Sequence, residues 1–410
     1  MSDARHLHDL RKGVRQRAVA KDRAMLPSLR HLRMFLALGR SNSVTRAAEL
    51  CHVSQPAVTQ AMGRIAQETG QVLFHRSPQG LFLTEAGEVL AHRATRALRL
   101  LDAAMADMAR PVRVQATWAQ LSALIAVTET ENFTLAARRL GLAQPTVHRS
   151  TTTLEQAAGL ALFQRTAHGL ITTRAGQQLA QAARLAMAEI DQAASDLAAL
   201  AGREVGRIVI GALPLSRSGW LPSAILKFRE RRPSFPFEVI DGRYDELLLG
   251  LRRGEIDMML GALRLPSPIE DIVQERLFDD EVVVVARKDH PLLAASRIGT
   301  ADLARYPWVM PRRPTPIRGI LDRLLAGHDP ANVIETSSVI MMREILRGSD
   351  HLGGISRMQA EVEAPSLAIL PLRQPGAMRP IGLTTRAGWE PTRAQCEFIE
   401  ILRQFAQQPD

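Results

Sequence analysis

The stretch Val44-Thr45-Arg46-Ala47-Ala48, running on to Ser54-Gln55-Pro56-Ala57-Val58, decides how this chain is read, because it occurs twice. It returns as Phe133-Thr134-Leu135-Ala136-Ala137 running on to Ala143-Gln144-Pro145-Thr146-Val147, displaced by 89 residues without a gap. The correspondence continues through Gly70/Gly159, Leu73-Phe74/Leu162-Phe163, Arg76/Arg165, Gly80-Leu81/Gly169-Leu170, Thr84/Thr173 and Ala86-Gly87/Ala175-Gly176. One sequence thus supplies its own alignment of two copies.

The repeated unit spells out its own elements. Leu29, Leu32, Phe35 and Leu36 form the apolar stripe of a first helix. Ser41-Asn42-Ser43 offers an N-cap for a short helix from Val44 to about Cys51. A turn at His52-Val53-Ser54 precedes a third helix, capped by Ser54, with Pro56 in its first turn, ending near Thr69 at Gly70. Two short helices across a three-residue turn make a helix-turn-helix, and the small Ala47 and Ala48 let them pack closely. Strand-like runs at residues 73–76 and 81–83 flank Ser77-Pro78-Gln79-Gly80, the signature of a hairpin wing, with Phe74 and Leu83 filling the core beneath.

A long helix is expected from Thr84 to about Ala109, stopped by Pro111. Leu90, Ala94, Ala97, Leu101, Ala104 and Met108 line it at alternating spacings of four and three. The second copy's long helix, about Arg174 to Ala201, carries the same seam at Leu179, Ala183, Ala186, Ile190, Ala193, Leu197 and Leu200. Such seams suit partner helices, and dimerisation between chains is the expected use. Packing of each helix on its own domain is the alternative.

From Gly206 the texture changes. Short apolar strands at residues 207–211, 237–240 and 257–260 alternate with helices from Trp220 to Arg231 and Tyr244 to Arg253. That order predicts a parallel sheet with helices on both faces. Val282 to Ala286 is an uninterrupted apolar run, as in a strand buried on both sides, and the chain ends in a helix from Thr392 to Gln407.

Charge separates the two halves. The net charge is +10, and residues 1–110 hold 17 Lys/Arg against 9 Asp/Glu. A basic end on a near-neutral body is the footprint of polyanion binding, or else a solvated basic face. Residues 29–110 carry a net +4, whereas residues 118–201 balance six Arg with six acids. Phosphate neutralisation dominates non-specific affinity, so the first copy should bind DNA more strongly. The second copy is then either a weaker reader or a degenerate unit kept for dimerisation. Cys51 and Cys396 give no disulfide framework or metal spacing, and no apolar run is long enough to span a membrane. The basic N-terminus lacks a signal core, so a cytoplasmic protein is expected. No metal or cofactor is called for.

Ala47-Ala48, Val53 to Val58, Leu73-Phe74-His75-Arg76 and Leu83-Thr84-Glu85-Ala86-Gly87 resemble the DNA-binding domain of LysR-type transcriptional regulators. Ala143 to Val147 and Leu162-Phe163-Gln164-Arg165-Thr166 resemble it again. Leu251 to Asp257 and Arg287-Lys288-Asp289-His290-Pro291-Leu292 are similar to phrases of that family's effector domain. Gly211 to Ser218 and Thr336-Ser337-Ser338 look most like its subgroup of galactose-binding-protein regulators. The resemblance implies an α+β multidomain chain: a basic tail (1–28), two tandem winged helix-turn-helix domains with long linker helices (29–110 and 115–201), and a two-lobed α/β effector domain of periplasmic-binding-protein type (205–410). Its lobes are expected at 205–286 with 380–410, and at 287–379. The duplication departs from the family plan of one winged helix per chain.

The motif also nominates residues. A helix-turn-helix places the start of its second helix at base edges in the major groove. In the first copy that gives Ser54, Gln55, Pro56, Ala57, Thr59 and Gln60, with Arg64 on a phosphate and Arg76 on the wing. The second copy offers Gln144, Pro145, Thr146, His148 and Arg149, with Arg165 on its wing. Gln pairs bidentately with adenine, and Ala or Pro can meet a thymine methyl.

Ligands of open α/β sheets lie beyond the carboxyl ends of strands. Pro214, Leu215, Ser216 and Ser218, in the loop after the first strand and before a helix start, are therefore candidates. The resemblance implies an effector in the cleft between the two lobes, with Tyr244 at another usual lining position and Met310, Arg312, Thr315, Arg318, Ser337 and Ser338 supplied by the opposite lobe. Arginines favour an organic acid or phosphate as effector, whereas serines and a tyrosine serve a sugar equally well. The chain should cross between lobes near Ala286-Arg287 and return near Arg379 to Leu383. Expected partners are thus promoter DNA, a small-molecule effector, further copies of the chain as a dimer or tetramer, and RNA polymerase. No P-loop, GxGxxG, HExxH or GxSxG pattern occurs, which speaks against an enzyme.

Overall fold

The computed structural model describes residues 27–167, 169–330, 332–372 and 376–407. The chain divides into two units at Gly206/Arg207. The basic tail lies outside the described residues except for Pro27 and Ser28.

The first unit runs α1 (Leu29–Ser41), α2 (Val44–Cys51), α3 (Gln55–Thr69), a hairpin of β1 (Phe74–Ser77) and β2 (Gly80–Leu83), then α4 (Glu85–Ala104). A short α5 (Pro111–Gln115) follows. The series then recurs as α6 (Trp118–Thr130), α7 (Phe133–Leu140), α8 (Gln144–Ala158), β3 (Phe163–Thr166), β4 (Gly169–Thr172) and α9 (Arg174–Leu200). Local chemistry sets the boundaries in both copies alike. Ser28, Ser43 and Thr84 accept the N–H three residues on, and Thr117, Asn132 and Thr173 do so at the matching positions. Gly70 and Gly159 close α3 and α8 in the left-handed conformation. The sole break in this correspondence of N-caps is Ala143, which has no side-chain oxygen with which to cap α8 as Ser54 caps α3.

The long helices depart from expectation in two ways. First, α4 ends at Ala104, and Pro111 opens α5 rather than terminating a helix. Proline suits a first turn, where its missing N–H is not needed. Val112 is fully buried in the same core, so this connector is packed rather than free. Second, the two seams do not await another chain. Leu90, Ala94, Ala97 and Leu101 of α4 share one core with Leu179, Ala183, Ala186, Ile190, Ala193 and Leu197 of α9, so the helices pair within the chain. Arg93 bonds Asp196 at 2.9 Å and Arg96 bonds Glu189 at 2.8 Å. Rising numbers on one helix thus meet falling numbers on the other, and the pair is antiparallel. The alanines keep the interface thin. Leu200, at the end of the second seam, stays 39% exposed.

In the second unit, β5 (Ile208–Ala212), β6 (Phe237–Asp241) and β7 (Met258–Ala262) are parallel neighbours. They alternate with α10 (Trp220–Arg231) and α11 (Tyr244–Arg252). Helices lie on both faces. Ile208, Ile210 and Ala212 join α10 and the C-terminal helix in one core, while Val209 joins Leu247 and Leu251 of α11 in another.

The sheet as a whole is mixed, not parallel. β8 (Ile272–Arg287) and β13 (Met378–Arg386) run antiparallel to each other, and β13 runs antiparallel to β7. The expected strand at residues 282–286 is the second half of β8. β8 pairs with β13 through Glu281 and from Val282 onward with β11 (Leu352–Ser356) and β12 (Leu367–Ile369). It therefore changes neighbours at Glu281–Val282. Around β9 (Trp308–Met310) the alternation resumes with α13 (Pro316–Leu324), β10 (Val333–Glu335) and α14 (Val339–Arg347). Between β8 and β9 lies the short α12 (Thr300–Ala304), and after β11 comes α15 (Arg357–Val362). The chain closes with α16 (Arg393–Gln407).

Candidate functional site

Two places combine exposed polar groups with a rigid frame. In the first unit, Val58, Ala61 and Ile65 bury one face of α3 against α1 and α2, while Ser54, Gln55, Pro56, Thr59 and Gln60 stand exposed on the other. Ala57 is half-buried. On α8, Val147, Thr151 and Leu154 are buried, and Gln144, Pro145, Thr146, His148 and Arg149 are exposed. Arg76 and Arg165 project from β1 and β3 of the hairpins and Arg149 from α8, all exposed and, among the described residues, in no salt bridge. Each copy therefore presents the start of one helix, flanked by a cationic wing, to solvent.

Two of these residues have prior engagements. Arg64 pairs with Glu68 on its own helix at 3.0 Å, which blunts the charge expected to meet a phosphate. Ser54 Oγ accepts the Ala57 N–H at 3.4 Å, so its hydroxyl proton and one lone pair are left to read a base. In α8, His148 lies against the ring of Phe133 at 5.1 Å between centroids, which orients it at the surface.

The second place is the carboxyl end of the parallel strands in the second unit. The nominated loop after β5 winds into a 3-10 turn, Pro214–Arg217, and its N–H groups turn inward: Ser216 N bonds Leu213 O at 3.0 Å and Ser218 N bonds Leu215 O at 3.3 Å. Leu215 is in the core. Ser216 is fully buried, and its hydroxyl lies 2.9 Å from Leu213 O and 3.1 Å from Leu260 O. These are structural ties, not ligand contacts. Pro214 is exposed and Ser218 half-buried, so both stay accessible.

Across the sheet, Met310 is buried in the core and Arg318 is engaged with Asp322 at 2.8 Å, Glu335 at 2.5 Å and Pro311 O at 3.2 Å. Its charge is already matched. Thr315 and Ser338 cap helices, as their N-terminal positions dictate, and Arg312 and Ser337 are exposed.

What the sequence reading missed lies next to Tyr244. The Arg264 guanidinium sits 4.6 Å from the centre of the Tyr244 ring, just past the end of β7. Burial holds Arg264 below the ordinary arginine range against the opposing pull of Tyr244 and Asp245, and it forms no salt bridge among the described residues. Arg379 comes alongside because Leu263 N bonds Pro380 O at 2.9 Å. It bonds Asp280 at 3.2 Å, but among the described residues its Nε has no hydrogen-bond partner, and neither does the buried Tyr244 hydroxyl. Burial also pushes the Tyr244 phenol up. Unpaired donors beside a cation that forms no salt bridge are groups that an anion would satisfy. The available signal was position: Arg264 follows the carboxyl end of a parallel strand.

Among the described residues there is no cluster of potential metal ligands and no helix long and apolar enough to cross a membrane.

Comparison with known proteins identifies the family of both units. The family model for the bacterial regulatory helix-turn-helix protein of the lysR family matches residues 29–88 and 118–177. The LysR substrate binding domain matches residues 201–407. The chain is 35% identical over 387 residues to the HTH-type transcriptional regulator GalR of Pseudomonas putida, across 92% of this chain and 97% of that protein. It is 30% identical over 291 residues to the regulator PcaQ of Agrobacterium fabrum, across 70% of this chain and 94% of that one. A full-length OxyR variant from Pseudomonas aeruginosa shares the fold with a TM-score of 0.51 over 72% of this chain and 95% of its own, at 20% identity. The chain belongs to the LysR family of bacterial transcriptional regulators.

Proposed function

We propose that this regulator reads DNA with both copies of its winged helix-turn-helix and responds to a small carboxylate held in its second unit. The observation that carries the DNA reading is the pair of helix starts, Gln55-Pro56 and Gln144-Pro145, exposed above buried faces in the same local frame. Gln55, Thr59 and Gln60, with Gln144, Thr146, His148 and Arg149, contact base edges; Arg76 and Arg165 contact the backbone from the wings. The neutral balance of residues 118–201 makes the second copy the weaker contributor to salt-dependent affinity.

The second unit is a sensor rather than a site of turnover. Arg264, Arg379 and the Tyr244 hydroxyl favour an organic acid over a sugar, because their unmatched charge and free donors ask for an anion. Ligand affinity that differs between two arrangements of the chain, alone or in a homo-oligomer, shifts their populations and so the contact with promoter DNA and RNA polymerase.

Titration calorimetry with a panel of small mono- and dicarboxylates and matched neutral sugars, run alongside promoter binding, tests this. Specific DNA should bind roughly a thousandfold more tightly than scrambled DNA at physiological salt. At least one carboxylate should bind and alter the footprint, and Arg264→Leu should weaken it about tenfold or more. Binding by sugars alone, or a specificity ratio near one, would defeat the respective half of the proposal.

A further inference from the structure

The seam between α4 and α9 places both readers in one chain with a definite relation. The contacts are reciprocal. Gln71, just past α3, donates to Leu197 O near the end of α9 at 3.2 Å. In the other direction Ala109, past the end of α4, donates to Ala158 O at the end of α8 at 2.9 Å. Reciprocity of this kind about an antiparallel pair is the mark of an approximate two-fold axis. The residues that line it come from both copies of one chain.

The pairing is also selective. Arg93 bonds Glu189 at 3.2 Å, Gln192 at 3.1 Å and Asp196 at 2.9 Å, while Arg96 bonds Glu189 at 2.8 Å. The positions that correspond to these by the 89-residue offset are Ala182, Leu185, Leu100, Ala103 and Asp107. The polar lock therefore exists on one side of the axis only. Pairing α9 with a second α9 would set Glu189, 6% exposed here, against alanine and leucine with no cation. Pairing α4 with a second α4 would set Arg93 and Arg96 largely against apolar side chains. Burying an unpaired charge is costly, so the interface prefers unlike helices.

The two readers themselves differ. By the same offset Ser54 answers to Ala143, Ala57 to Thr146, Thr59 to His148, Gln60 to Arg149 and Arg64 to Thr153. Operators are palindromic when identical readers are related by a two-fold axis. Here the axis relates unlike readers. Resting on the reading that both copies contact DNA, we infer that a single chain supplies both readers for one operator, and that this operator is an inverted pair of unlike half-sites. Gln60 suits adenine where Arg149 suits guanine, so the half-sites differ at least at that base pair.

Selection of sequences from random duplex DNA by the full-length protein tests the inference. The enriched motif should have two inverted, non-identical halves. Gln55→Ala should relax one half and Gln144→Ala the other, each with roughly a tenfold loss of affinity. Arg149→Gln should change guanine toward adenine in the second half alone. All three side chains are exposed, so folding should be untouched. A motif with identical halves, or one that Gln144→Ala and Arg149→Gln leave unchanged, would overturn the inference while leaving DNA reading by the first copy intact. Enrichment of no sequence at all would overturn DNA reading and the inference together.

Discussion

Ser216 and Arg264 show how far single residues can be read. Both lie just past strand ends, where ligands of such sheets are found. The sequence nominates Ser216 and passes over Arg264, yet Ser216 is sealed with its hydroxyl on two carbonyls, and Arg264 is the cation that forms no salt bridge among the described residues. The difference is one of partners. A serine after a strand can face inward or outward, and nothing in the string Pro214-Leu215-Ser216 fixes which. Arg318 carries the same lesson in part: Asp322 is its neighbour four residues on along α13, but Glu335 becomes its partner only once β10 and α13 are side by side. The exposed faces of α3 and α8 are legible for the opposite reason: helix-turn-helix geometry dictates which face of the second helix is exposed. Ser216→Ala should therefore cost about 1 kcal/mol of stability in urea unfolding and leave carboxylate affinity unchanged. A loss of ligand binding with unaltered stability would return Ser216 to the ligand site.

At the scale of elements, the caps and breakers of the repeat are legible because they act within a few residues. Ser43, Ser54, Gly70 and Thr84 bound helices where their chemistry places them. The close entry of α4 beside the hairpin is visible as Gly87 and its counterpart Gly176. A Cβ at Gly87 would stand 2.2 Å from Leu73 O, and one at Gly176 would stand 2.4 Å from Leu162 O. The seams are visible too, but periodicity names a buried face without naming what buries it. The partner is chosen by the long-range match of Arg93 and Arg96 with Glu189 and Asp196. Sheet direction escapes for a related reason, since β8 and β13 find each other across about a hundred residues. Arg93→Met should lower stability by about 3 kcal/mol, because Glu189 and Asp196 lose a buried cation. Adding Glu189→Leu should recover much of that loss in a double-mutant cycle. Strictly additive effects would show that the two side chains do not act as a pair.

For the whole molecule, the central claim is that the paired readers belong to one chain. The first copy, residues 29–110, carries a net +4 against none for residues 118–201, so on the proposed reading it supplies the larger electrostatic share and the second copy adds selectivity. Linked readers raise each other's effective concentration, and the packed connector through α5 holds them in register. Complementation between variants tests this most directly. Gln55→Ala disables the first reader and Gln144→Ala the second; the two variants are produced together in one cell, purified as a mixture, and measured on the operator by quantitative footprinting. Readers paired within a chain predict that the mixture binds no more tightly than the better of the two variants alone. Recovery of wild-type affinity and a full footprint by the mixture would mean that an intact reader from each of two chains had paired, and would contradict the account.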